Sequence, residues 1–177
     1  MERSAIYAGS FDPVTLGHVD VVERASRLFS TITIAVADNS AKTSIFSPSE
    51  RLAQLERCFA ERANIKVMQF EGLVVECARR LGASILIRGI RTVSDFEYEL
   101  RMAQANSQLA REIETVFMTT RPQYAFISST LVREIVTLGG DVSGMVPATI
   151  VGELLQRLAP KGKDPCGCYP TVRETSR

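Results

Sequence analysis

Net charge is almost missing from this chain of 177 residues: 21 Lys and Arg face 20 Asp and Glu, leaving a formal +1 at pH 7. A protein built to grip a nucleic-acid backbone carries a basic surplus, so this balance argues against nucleic acid as a partner. Any anion it binds is expected to be small and held in a local pocket. Long apolar runs are missing as well. Glu76, Arg79 and Arg80 break the longest candidate, which leaves no membrane span. Glu2 and Arg3 lead straight into the first apolar segment, so a signal peptide's apolar core is lacking and the cytoplasm is the expected location. Neither a Walker A loop nor a G-x-G-x-x-G fingerprint occurs, which removes the common routes to phosphate and dinucleotide binding. Histidine is represented once, by His18. Of the four cysteines, Cys58 and Cys77 fall in helix-like stretches and read as small buried hydrophobes. Cys166 and Cys168 lie in a tail with no histidine near, so a closed zinc site is not expected there.

What is present is an alternation. Short apolar segments at Ala5–Ala8, Thr31–Ala37, Ile65–Phe70, Ser84–Ile87 and Val116–Met118 predict five strands. Between and after them, helical spacing predicts helices from about Thr15 (with Val19, Val22, Ala25, Leu28 and Phe29), over Glu50–Ala60, Leu73–Leu81 and Asp95–Ala110, from Ser128, and over Pro147–Leu158. Nearly all-apolar strands alternating with helices imply a doubly wound α/β fold: a five-stranded parallel sheet with helices on both faces. Ligands of such sheets bind outside the carboxyl ends of the strands, where strand order reverses. Ser10, Lys42, Arg88 and the pair Ser128–Ser129 all fall near those ends. Residues 1–159 are expected to form one domain, and 160–177 a disordered tail.

Each candidate carries a plain structural reading beside the chemical one. Gly9-Ser10-Phe11-Asp12-Pro13 is either a tight strand–helix turn or a small-residue loop that offers N–H groups to phosphate. His18 falls in the first helical turn, where the dipole disfavours imidazolium. It is expected to donate to a phosphoryl oxygen rather than to cap the helix; a satisfied surface or core histidine is the alternative. Arg88-Gly89-Ile90-Arg91 is either a charged loop or a pair of guanidinium forks flanking a glycine that lets backbone approach a ligand. Ser128-Ser129-Thr130 is either an ordinary helix cap or an anion nest. Lys42 alone reads as solvated.

Together these residues resemble a known family. Thr15-Leu16-Gly17-His18 is similar to the T/H-x-G-H signature of the nucleotidyltransferase superfamily, and Ile127-Ser128-Ser129-Thr130 to its second signature. Tyr7-Ala8-Gly9-Ser10-Phe11-Asp12-Pro13, Ile87-Arg88-Gly89-Ile90-Arg91 and Asp95-Phe96-Glu97-Tyr98-Glu99 resemble the bacterial phosphopantetheine adenylyltransferase family in particular, over residues 3 to about 158. The resemblance implies a Rossmann-like nucleotidyltransferase fold and adenylyl transfer from ATP, with Mg²⁺, to 4′-phosphopantetheine. It implies His18, Lys42 and Ser10 as catalytic residues. It places Ser10, Phe11, His18, Gly89, Ile90, Arg91, Glu99 and the run Tyr124, Ala125, Phe126, Ile127, Ser128, Ser129, Thr130 around ATP. Ser10, Lys42, Val74 and Arg88 would hold phosphopantetheine, and no residue is assigned to a metal. A homohexamer is the family's usual assembly. The chain departs from the pattern at Ser10 (commonly Thr), Ala8 (commonly Pro) and Thr130 (commonly Ser). Competing readings are a nucleotidyltransferase acting on nicotinamide mononucleotide or glycerol 3-phosphate, and a nucleotide-binding module without turnover.

Overall fold

The computed structural model describes residues 3–38 and 44–160. Lys42, Cys166 and Cys168 lie outside the described residues. In chain order the elements are β1 (Ser4–Gly9), α1 (Leu16–Ala25), β2 (Thr31–Ala37), α2 (Pro48–Phe59), β3 (Ile65–Phe70) and α3 (Val74–Arg80). They continue with β4 (Ile85–Ile90), α4 (Val93–Leu109), β5 (Glu114–Thr119), a single 3-10 turn (Pro122–Tyr124), α5 (Ser129–Thr137) and α6 (Ala148–Leu158). The five strands form one sheet in the order β3-β2-β1-β4-β5, every neighbouring pair parallel. Chain progression therefore reverses on either side of β1, and the crevice above β1 and β4 is the switch point expected to take a ligand.

Alternation along β1 splits its side chains between two cores. Ala5 and Tyr7 join Ile32, Ile34 and Ile87 against α1, α2, α5 and α6, which contribute Val21, Leu55, Val132 and Leu154. Ile6 and Ala8 join Ala35 and Leu86 against Val75, Cys77 and Ala78 of α3. Cys77 is a free thiol that burial pushes up from its ordinary pKa, as fits a small core hydrophobe.

Sequence signals explain the helix starts. Ser47 and Glu50 form a reciprocal capping box before Pro48: Ser47 Oγ accepts from the Glu50 N–H at 3.2 Å and Glu50 Oε2 accepts from the Ser47 N–H at 2.7 Å. Thr92 Oγ1 caps α4 through the Asp95 N–H and Ser128 Oγ caps α5 through the Leu131 N–H.

Two expectations need correction, and α4, found where helical spacing puts it, leaves its surface largely uncovered. Helix α1 closes at Ala25, where the Ser26 N–H bonds back to Val22, so Leu28 lies beyond it and is 67% exposed. Arg88 and Gly89 stand inside β4, paired with Phe117 and Met118, because the ladder runs on to Ile90. Helix α4 buries only Asn106 within this chain; its apolar residues, among them Val93 and Leu100, stay exposed.

Candidate active site at the carboxyl edge of the sheet

Gly9 ends β1, and the backbone then takes an unusual path. Phe11 adopts φ 50°, a left-handed conformation that non-glycine residues seldom visit, and the Asp12–Pro13 peptide is cis. This path folds the Phe11 ring back over Gly9, where a Cβ would sit 3.1 Å from the ring. The ring is 2% exposed and meets His18 edge-on, with centroids 5.1 Å apart. Asp12 secures the loop from below: its carboxylate oxygens accept the N–H groups of Ile45 (2.9 Å) and Phe46 (3.0 Å) and receive Arg133 at 3.3 Å. The small-residue loop is thus a clamped scaffold.

His18 caps its own helix, contrary to expectation. Thr15 Oγ1 accepts the His18 N–H at 3.3 Å, and His18 Nδ1 accepts the Thr15 N–H at 3.0 Å. Imidazole here takes the part glutamate plays in an ordinary capping box. A backbone N–H can only donate, so Nδ1 is unprotonated and the hydrogen-bond network assigns the proton to Nε2. The dipole objection falls away because the ring is neutral. Burial, and secondarily the nearby Arg91, push the His18 pKa down to about 4.

Two arginines from β4 and its exit are held alike. Arg88 donates from Nε and Nη2 to both oxygens of Glu99 (2.5 and 2.7 Å) and from Nη1 to the Ala8 carbonyl (2.8 Å). Arg91 donates from Nε and Nη2 to both oxygens of Asp95 (3.0 and 3.1 Å) and from Nη1 to the Ile127 carbonyl (2.9 Å). A fork fixed at three points is oriented before a ligand arrives, and each guanidinium still has two N–H bonds to offer. Glu99 is thereby engaged in aiming Arg88.

These groups line a cavity of about 310 Å³ between β1, β4 and the starts of α1 and α5. Of the expected site residues, Ser10, Phe11, His18, Arg88, Gly89, Arg91, Glu99, Ile127, Ser128, Ser129 and Thr130 form its wall. Ile90, Tyr124, Ala125 and Phe126 do not; Ile90 is buried beneath the wall and Phe126 is 60% exposed. A second, larger cavity of about 690 Å³ adjoins it through the shared residues Ser10, Arg88, Ser129 and Thr130. Val74 lines this second cavity with Tyr98 of the Asp95–Glu99 stretch and with Arg51, Asn106 and Arg133, three residues the sequence did not single out. Tyr7 and Thr120 are further unforeseen wall residues of the first cavity. A Cβ on Gly89 would stand 3.0 Å from Tyr7 Oη, so glycine is needed there for close packing.

The arrangement can seat an extended polyanion against paired guanidiniums and one neutral imidazole, with a second ligand beside it. Both carboxylates of the first cavity, Asp95 and Glu99, are consumed by arginine. Among the described residues no group of three or more His, Cys, Asp or Glu could hold a metal. No helix among them is long and apolar enough to cross a membrane.

Comparison with known proteins agrees with this geometry. The cytidylyltransferase-like family model matches residues 6–135. A phosphopantetheine adenylyltransferase of Methylococcus capsulatus is 49% identical over 162 residues, covering 92% of this chain and 100% of its relative. One from Gloeobacter violaceus is 51% identical over 155 residues, covering 88% and 96%. The solved structure of a candidate nicotinate-nucleotide adenylyltransferase from Vibrio parahaemolyticus shares the fold with a TM-score of 0.66 at 18% identity, covering 88% of this chain and 93% of its own. On the signatures, the sheet order and these matches together, the chain belongs to the cytidylyltransferase-like nucleotidyltransferases and, within them, to the phosphopantetheine adenylyltransferase family.

Proposed function

We propose that this enzyme transfers the adenylyl group of ATP to 4′-phosphopantetheine, yielding dephospho-coenzyme A and pyrophosphate in coenzyme A biosynthesis. The observation that carries the reading is the junction of the two cavities at Ser10 and Arg88, which lets two phosphate-bearing substrates meet at one point. ATP occupies the smaller cavity and phosphopantetheine the larger. A phosphate oxygen of phosphopantetheine attacks the α-phosphorus in line, and the bond from that phosphorus to the bridging oxygen breaks. Pyrophosphate departs with the bonding electron pair. No general base is required, since a phosphate monoester has its second pKa at about 6 and attacks as a dianion. Catalysis then rests on alignment and on neutralising charge as it develops.

By this reading His18 donates its Nε2–H to an α-phosphate oxygen, Ser10 donates its hydroxyl there, and Lys42 supplies positive charge. Arg88 binds the acceptor phosphate and Arg91 the nucleotide phosphates, while Val74 lines the pantetheine arm's path. A magnesium ion would accompany ATP as counter-ion and offset charge on its phosphates, which suits a site whose carboxylates, Glu99 and Asp95, are already paired with Arg88 and Arg91.

The exposed apolar residues of α4, among them Val93, Phe96 and Leu100, support assembly into a homohexamer through that helix. Residues 1–159 constitute the catalytic domain. The enzyme works in the cytoplasm on small molecules, with neither nucleic acid nor membrane as partner.

Pyrophosphate release measured in parallel with phosphopantetheine, nicotinamide mononucleotide and glycerol 3-phosphate tests the assignment. Turnover with phosphopantetheine alone is expected; turnover only with another acceptor overturns it.

A further inference from the structure

Three guanidiniums face the larger cavity, and their charge is balanced unequally. Arg88 is paired with Glu99, and Arg133 with Asp12. Arg51 has no carboxylate partner among the described residues, although it is only 2% exposed. It comes from the first turn of α2 and reaches under the strand ends. Nη1 donates to the carbonyls of Ser10 (2.6 Å) and Ala37 (3.0 Å), and Nε to that of Phe46 (3.1 Å). The two N–H bonds of Nη2 have no partner among the described residues, yet the side chain lines the cavity. Carbonyl dipoles orient a buried cation without cancelling its charge, and a buried cation without a counter-ion is costly unless an anion is meant to join it.

We infer that Arg51 is a binding residue for the phosphate group of the acceptor, with its free Nη2 edge turned to the phosphate oxygens. The inference rests on the reading of the larger cavity as the phosphopantetheine site. Through Nη1 the same guanidinium fixes the backbone of Ser10, so one side chain couples the seat of the acceptor phosphate to the loop beneath the α-phosphate. A guanidinium suits this double duty because its rigid fork presents separate edges to carbonyls and to phosphate.

The test uses the full-length enzyme with Arg51→Lys and Arg51→Met. Dissociation constants for phosphopantetheine and for ATP are measured by calorimetry, alongside steady-state kinetics. Arg51→Lys keeps the charge and loses the second edge; it is expected to weaken phosphopantetheine at least fivefold and leave ATP affinity within twofold. Arg51→Met is expected to weaken phosphopantetheine at least twentyfold. Should Arg51→Met fail to fold, shown by loss of ATP binding, Arg51→Lys decides alone. Unchanged phosphopantetheine affinity in Arg51→Lys, or equal weakening of both ligands, overturns the inference while leaving the enzyme assignment intact. Wild-type protein that neither binds nor adenylylates phosphopantetheine overturns the assignment, and this inference with it.

Discussion

His18 Nδ1 and the Thr15 backbone N–H, 3.0 Å apart, tie the cap of α1 to the tautomer of a ring that lines the first cavity. The bond closes the first turn of α1 and simultaneously dictates which ring nitrogen carries the proton. As the only histidine in the chain, His18 makes this directly measurable. Nitrogen-15 NMR of the ligand-free protein is expected to show a neutral ring protonated at Nε2, titrating near pH 4. A ring that is half protonated at pH 6.5 would contradict the cap.

The same depression sets a pH dependence of stability. In the unfolded chain His18 takes up its proton near 6.5, and in the folded one near 4. Between these values the unfolded state binds more protons, so the contribution is complete above about pH 6.5 and is lost as pH falls toward 4. The loss should amount to about 2 kcal/mol, allowing for screening by the open cavity. Urea denaturation of wild type and His18→Asn across this range measures it; the variant should show a smaller slope.

For the reaction, His18→Ala should lower kcat by about 100-fold or more, as loss of one transition-state donor commonly does. KM for ATP should change far less, and stability should drop by about 1 kcal/mol with the cap. Equal losses in kcat and ATP affinity would mean that the ring only holds substrate.

Glu99 is expected to matter through Arg88. Glu99→Gln keeps the shape but surrenders one charge-assisted acceptor of a half-buried pair whose Nε bond is 2.5 Å. Stability should fall by about 1–2 kcal/mol. The specificity constant for phosphopantetheine should fall at least tenfold, and more steeply than that for ATP in steady-state assays.

Gly89 and Tyr7 should be coupled. Gly89→Ala brings a methyl group 3.0 Å from Tyr7 Oη and 3.4 Å from Val21 Cγ2, an overpacking worth about 1–3 kcal/mol. Tyr7→Phe removes the nearer obstacle. In a double-mutant cycle the combined loss should fall short of the sum by about 1 kcal/mol.

The scaffold was more legible in the sequence than the site. Thr31–Ala37 is a strand over the very residues its apolar and β-branched pattern marks, because burial on both faces leaves few other choices. Ile65–Phe70 also matches its marked range, although it is an edge strand with Lys66 and Gln69 exposed. Ser47-Pro48-Ser49-Glu50 spells out the start of α2 through purely local bonds. His18 as a cap was hidden because capping is associated with carboxylates and hydroxyls, and only geometry shows that the ring is neutral. Arg51 and Asp12 were hidden for another reason. Arg51 reaches back 41 residues to Ser10 and Asp12 forward 34 to Phe46, so no local pattern announces either. The apolar run marks β4 only to Ile87, with Arg88-Gly89 as its end, whereas the ladder continues to Ile90, because a charged residue at a sheet edge looks like a loop.

The position of β1, flanked by strands wound outward in opposite senses, separates two kinds of evolutionary freedom. The smaller cavity, proposed for the nucleotide, leans on β4 and the start of α5, through Arg91, Ile127 and Ser128. The larger cavity, proposed for the acceptor, borrows Ala37, Phe70 and Val74 from the far half of the sheet and the helix beside it. On that assignment, substitutions at those three outlying positions reshape what is adenylylated while the grip on the donor stays untouched, so new acceptors are reachable by small steps from the periphery inward.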